Sequence, residues 1–117
     1  MVRNVTLSNN PIKVVTSDTI AVDIFIAGSR AAAVEACREF CMEGLCVTVT
    51  DADYVYTGGM ETGVKIGLIN YPRFPGTEDE IYAVAYRLAV FLIERLFQQS
   101  CTIVSPSKSV WLTRRGE

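Results

Sequence analysis

Residues 24–37 read IFIAGSRAAAVEAC, an apolar strand that runs through Gly28-Ser29 straight into an alanine-rich helix. Ser29 is a good N-cap and Gly44 a good C-terminal stop, so the stretch predicts a helix from Arg30 to about residue 43. Ala33, Cys37, Phe40 and Cys41 fall on one face of that helix, and Glu35, Arg38 and Glu39 on the wet side. Arg30 stands in the first turn, where the aligned peptide dipoles already carry positive charge. Either it is solvated at a cost of a few tenths of a kcal/mol, or the site awaits an anion.

Working outward, TIAVDIFIAG (19–28) is a strong strand, preceded by NVTLSNNPIKVVTS (4–17), two short strands joined at the turn-forming Asn9-Asn10-Pro11. Residues 1–18 therefore read as a hairpin or arm. Downstream, LCVTVTDADYVYT (45–57) alternates apolar and polar residues and METGVKIGLINY (60–71) resumes after Gly58-Gly59, which predicts a hairpin. Thr77 and Glu80 form a capping-box pattern opening a helix to about Gln99. CTIVS (101–105) and SVWLTRR (109–115) close the chain as two strands. The central order is strand, helix, strand, strand, helix, strand. That predicts an α+β fold with a ferredoxin-like split βαββαβ core, two helices on one face of a mainly antiparallel sheet, plus an extra N-terminal hairpin and C-terminal strand. Residues 1–117 are expected to form one domain.

The second helix, IYAVAYRLAVFLIERLF (81–97), is apolar on almost every side, although a helix on one sheet face needs a single apolar stripe. Its excess surface calls for a cover, from the N-terminal hairpin or from a second copy of the chain. Half of the residues are hydrophobic, 21% are charged and the net charge is -2, which argues against polymeric nucleic acid as a partner. The N-terminus lacks the apolar core of a signal peptide, and the longest apolar run, Leu88 to Ile93, is too short to cross a bilayer. A cytoplasmic protein with no membrane association is expected, its Cys37, Cys41, Cys46 and Cys101 reduced.

The chain has no histidine, which removes the commonest general base and metal ligand. Asp51, Asp53 and Glu61 lie around one hairpin and are the carboxylates left for acid–base work. Cys37 and Cys41 share a helical face with Cys46 just beyond, but no second close pair completes a metal site; no metal and no cofactor are expected. For phosphate there is more. Gly28, Ser29 and Arg30 offer a flexible turn, helix N-terminal amides and a guanidinium. Arg73 and Phe74, between two prolines, could add a cation and a stacking face. Thr113, Arg114 and Arg115 end the last strand, and alternation lets only one of the two arginines enter a given pocket. Gly63 and Gly67 share parity, as do Tyr54 and Tyr56, leaving a flat strip and aromatic walls or ordinary bulges and edge packing.

The combination of IAGSRAAAVEACREFC (26–41), the apolar helix 81–97 and the closing SVWLTRRGE (109–117) resembles the first Thoeris anti-defence family, small phage or prophage sponge proteins. The resemblance implies a dimer or hexamer that sequesters a cyclic ADP-ribose isomer without cleaving it; related sponges also hold cyclic oligonucleotides. It further implies ligand contacts from arginines near the first helix and near the C-terminus, which Arg30 and either Arg114 or Arg115 match by context. The resulting expectation is a non-catalytic nucleotide-binding protein. Two alternatives stand beside it: an enzyme that degrades a cyclic nucleotide signal through Asp51, Asp53 or Glu61, and a ferredoxin-like oligomer with a protein partner.

Overall fold

The computed structural model describes residues 2–5 and 10–116, without the side chains of residues 2–5 and 43. Strands β1 (Val2–Val5) and β2 (Ile12–Val15) pair antiparallel as a separate two-stranded sheet. This is the expected hairpin; of its expected turn, Asn9 lies outside the described residues. β3 (Ala21–Ala27), β4 (Thr48–Tyr56), β5 (Gly59–Ile69), β6 (Ser100–Val104) and β7 (Ser109–Thr113) form a five-stranded sheet in the order β4-β5-β3-β6-β7, antiparallel throughout. Helices α1 (Arg30–Phe40) and α2 (Glu78–Arg95) complete the ferredoxin-like core, and β7 is the added edge strand.

Strand alternation decides the layers. Val22, Ile24 and Ile26 of β3 are all but inaccessible, and their partners Leu68, Ile66 and Val64 on β5 and Ile103 on β6 are buried with them. The helices deliver Ala33, Ala36 and Cys37 from α1 and Ala85, Leu88, Ala89, Leu92 and Ile93 from α2 onto that face. The intervening residues Asp23, Phe25 and Ala27 look the other way, toward a face that carries no helix. Between the helices, the Phe40 and Phe91 rings lie 5.7 Å apart and the Arg95 guanidinium sits over Phe91 while holding Glu39 with both nitrogens.

Both predicted N-caps form. Ser29 Oγ accepts from the Ala32 amide, and Thr77 and Glu80 make a reciprocal capping box. The C-termini are shorter than predicted: α1 tightens into a 3-10 turn at Cys41–Glu43 before Gly44, and α2 stops at Arg95. Tyr86 and Val90 of α2 remain exposed. No described helix is long and apolar enough to cross a membrane.

At the end of the sheet away from Ala27, buried Asn70 ties three segments together. Its Nδ2 donates to the Asp18 carbonyl at 2.8 Å, its Oδ1 accepts from the Gly76 amide at 2.9 Å, and its carbonyl accepts from Ser17 Oγ. Asn70→Ala removes both part-buried side-chain hydrogen bonds, to the Asp18 carbonyl and from the Gly76 amide, each worth about 1–2 kcal/mol. The expected loss is about 2–4 kcal/mol, a fall in Tm of roughly 10 °C by calorimetry; an unchanged Tm would refute the role.

Candidate functional site

The face without helices is not flat. Across its middle runs the row Thr50, Lys65, Phe25, Thr102 and Trp111, one residue from each strand. One step toward the Ala27 end the row thins to Ala52, Gly63 and Ala27, and beyond it Tyr54 faces Glu61. The small residues leave a depression, and the chain after α2 crosses its end. The result is a cleft of about 410 Å3 whose walls include Phe25, Tyr54, Glu61, Phe97, Gln98, Gln99, Ser100, Thr102, Trp111 and Arg115. A volume of this order suits a small organic ligand, for which pockets run about 300–1,000 Å3.

Tyr54 is held there by glycine. A Cβ at Gly63 would stand 2.5 Å from the Ile26 carbonyl oxygen and 2.6 Å from Tyr54 Cε2, so the ring lies on the bare backbone of Gly63. The Tyr54 hydroxyl donates to the Val64 carbonyl, and burial pushes its pKa up, so it is a neutral phenol at pH 7. Gly67 is filled similarly by Thr48 and Gly59 by Tyr56. Parity in the sequence signals this strip; its use is to seat β4 side chains on the β5 backbone. Tyr56 also donates to Glu61 Oε1 at 3.4 Å.

The residues singled out for phosphate divide. Gly28, Ser29 and Arg30 lie at the Ala27 end, as do Thr113, Arg114 and Arg115. Gly28 donates its amide to the Thr62 carbonyl, Ser29 Oγ is occupied in capping, and Arg30 Nε holds Asp51 Oδ1 at 2.9 Å on the helix side of the sheet. The cost of an arginine in a helix first turn is thus offset by a carboxylate from β4. The two tail arginines part: Arg115 lines the cleft, whereas Arg114 turns to the α2 side near Glu94, beside Thr113. Arg73 stacks on Phe74 at 5.2 Å, but both follow β5 at the opposite end, roughly 20 Å away at ~3.3 Å per residue. Phe74 borders a different groove with Leu45, Tyr71 and Pro75. Of the three carboxylates, Glu61 alone is in the cleft; Asp51 and Asp53 have the parity of the helix side.

Phe25, Phe97 and Trp111 are aromatic walls the sequence reading missed. Phe25 and Trp111 have the parity opposite to the core residues of their strands, a legible signal; Phe97 has none.

The thiols form a second cluster. Cys37, Cys41 and Cys46 line an apolar hollow of about 300 Å3 against α1, and no metal-holding group of three ligands occurs among the described residues. Burial, with the Cys41 thiol beside it, raises Cys37 to about 11, and burial raises Cys101 to about 11.

No family model and no curated protein matches the chain. Two solved structures share its fold. One is a phage SAM lyase in the apo state, with a TM-score of 0.68 at 15% identity over 84% of this chain and 91% of that one. The other is a phage SAM lyase in complex with S-methyl-5′-thioadenosine, with a TM-score of 0.58 at 10% identity over 88% and 95%. These neighbours correct the expectation of a non-catalytic protein: the fold is one that carries an enzyme.

Three outcomes are expected. Gly63→Ala forces the Ile26 carbonyl or the Tyr54 ring to move and lowers stability by about 1–3 kcal/mol in denaturant unfolding. Arg30→Ala, which removes an exposed pair, changes it by less than about 1 kcal/mol. In thiol titration at pH 8, exposed Cys46 reacts first, while Cys37 and Cys101, with raised pKa values and hence little thiolate, react only as the protein unfolds. Equal rates for all four would refute that environment.

Proposed function

We propose that the chain is a lyase that takes a small adenosine-bearing sulfonium compound of the S-adenosylmethionine class into the open-face cleft and breaks one of its carbon–sulfur bonds. The observation that carries this reading is the composition of the cleft. One carboxylate, Glu61, stands among aromatic faces, Phe25, Tyr54 and Trp111, with hydroxyl and amide groups from Ser100, Thr102, Gln98 and Gln99 at its side. A purine wants a flat apolar slot, a ribose wants short polar side chains, and a cationic centre is attracted by both π faces and a carboxylate. The likeness of fold to a phage SAM lyase adds support.

Such a substrate makes few demands on its enzyme. Its own carboxylate can attack the γ-carbon: a C–O bond forms, the C–S bond breaks, and the electron pair goes to sulfur. The products are neutral S-methyl-5′-thioadenosine and a five-membered lactone, and no proton changes hands. Carboxylate and sulfonium lose charge together, so a site that replaces water with apolar walls lowers the barrier. A chain without histidine is then no handicap. Glu61 holds the cationic end of the substrate, and Phe25 and Trp111 line the slot that takes the base.

The resemblance to the first Thoeris anti-defence family keeps a cyclic ADP-ribose isomer as a second ligand. Arg115, which borders the cleft, favours it because a guanidinium grips phosphate with two donors. Self-association belongs to the same proposal, since Tyr86 and Val90 of α2 are left exposed.

Trp111 is the only tryptophan of the chain and lines the cleft, so its emission reports occupancy. Titration with S-methyl-5′-thioadenosine is expected to change that emission, and incubation with S-adenosylmethionine to yield the thioether and the lactone by mass spectrometry. Glu61→Gln, which loses a charged contact worth about 1.5–3 kcal/mol, should cut turnover at limiting substrate roughly 10- to 150-fold. No thioether and an unmoved Trp111 emission would overturn the reading; a response to a cyclic ADP-ribose isomer alone would replace it with the second.

A further inference from the structure

The two helices end differently. α1 and its 3-10 turn finish on Gly44 at φ +86°, the left-handed position at which glycine is the default. α2 finishes with the same kind of turn: the Phe97 amide donates to the Glu94 carbonyl at 3.3 Å and the Gln98 amide to the Ile93 carbonyl at 2.9 Å. The left-handed residue there is Phe97, at φ +54°, the only non-glycine with positive φ among the described residues. Its side chain gains nothing from the fold, being 91% exposed. A bulky aromatic thus occupies the backbone position that favours glycine most, without burial to compensate.

Its direction is fixed by its neighbours. Leu96 is buried against Gly28, where a Cβ would lie 2.9 Å from Leu96 Cδ2, and Gln98 Nε2 donates to the Leu96 carbonyl. With Leu96 driven into the core, Phe97 is turned outward beside the cleft that Trp111 borders from β7. A strained backbone that holds an exposed aromatic at a ligand cleft is a feature retained for something other than stability.

We propose that Phe97 is a specificity-determining residue that stacks on the ligand's planar base at the open side of the cleft. This rests on the adenosine-binding reading given above. The left-handed turn is what presents the ring, and the closing of α2 is thereby coupled to recognition of the base.

The test is calorimetric titration of wild type, Phe97→Gly, Phe97→Tyr and Trp111→Ala with S-methyl-5′-thioadenosine, alongside thermal unfolding and sedimentation mass. Phe97→Gly is expected to raise Tm by about 4 °C and to weaken binding about 5- to 100-fold at unchanged mass, with Phe97→Tyr close to wild type. Wild-type binding that Trp111→Ala weakens and Phe97→Gly does not would overturn the role of Phe97 and leave the cleft reading intact. A change of mass in Phe97→Gly that accounts for the loss of affinity would overturn it in favour of a contact between copies. If wild type does not bind the thioether at all, both readings fall.

Discussion

The meeting of Gly28 with Leu96 sets the geometry of the whole cleft end. Because Gly28 has no side chain and adopts φ +131°, β3 can end, turn and start α1 within two residues while Leu96 of the α2 terminus packs onto its backbone. A side chain at that position would meet Leu96 and demand a backbone that L residues rarely adopt. One contact therefore joins β3, both helices and the segment leading into β6. From it follow the position of Gln98 and Gln99 at the rim, the start of β6 beside Ala27, and the outward turn of Phe97.

The same economy appears on the sheet. Its helix face has an apolar centre, with Val49, Ile66, Ile24, Ile103 and Val110 in one row across five strands. Burying each such side chain contributes about 1.5–3 kcal/mol, so register is strongly specified: a slip by one residue would send the whole row to the other face. With stability secured on one side, the other is free to hold glycines, mixed polar groups and exposed aromatics that stabilise little. Trp111 is 52% exposed there, while its neighbours Val110 and Leu112 face the helices. The separation of tasks between faces explains how so short a chain has both a closed core and a cleft.

Much of this architecture was legible in the sequence, and the parts that were not have definite causes. The alternation of β3, the Ser29 cap, the Thr77–Glu80 box and the order of elements are local patterns, and they predicted the α+β core correctly. The C-terminus of α2 was not legible, because Arg95-Leu96-Phe97-Gln98-Gln99 contains neither glycine nor proline and nothing in its composition announces a left-handed residue. Long-range pairing was equally hidden. Arg30 reads as an orphan cation at a helix start until Asp51, twenty-one positions on, is brought to 2.9 Å by the strand register. Glu61 was visible as a carboxylate on a hairpin, but its company in the cleft comes from β3, β6, β7 and the end of α2. Weighing residues near to one another in sequence therefore favoured Gly28-Ser29-Arg30 and the Arg73–Phe74 pair, which the fold puts about 20 Å apart, six strand residues at ~3.3 Å each.

The correction on catalysis has a chemical reason. A missing histidine removes the commonest group for moving a proton near neutral pH. It says nothing about a substrate that carries its own nucleophile and a positively charged leaving group, where the enzyme has only to fold the molecule into an attacking geometry and keep water away. On the proposed reading, the features that look unsuited to catalysis are those that such a step requires. The walls are aromatic, the nearest phenol is neutral, and the one carboxylate of the cleft holds charge in place instead of exchanging protons. A cleft of this kind would bind a cyclic ADP-ribose isomer through the same purine slot, since both molecules present an adenine joined to ribose. What separates them is the remainder: a pyrophosphate calls on Arg115, whereas a sulfonium amino acid calls on Glu61. The sign of the charge that this cleft prefers is therefore the physical property that decides between the two proposed ligands.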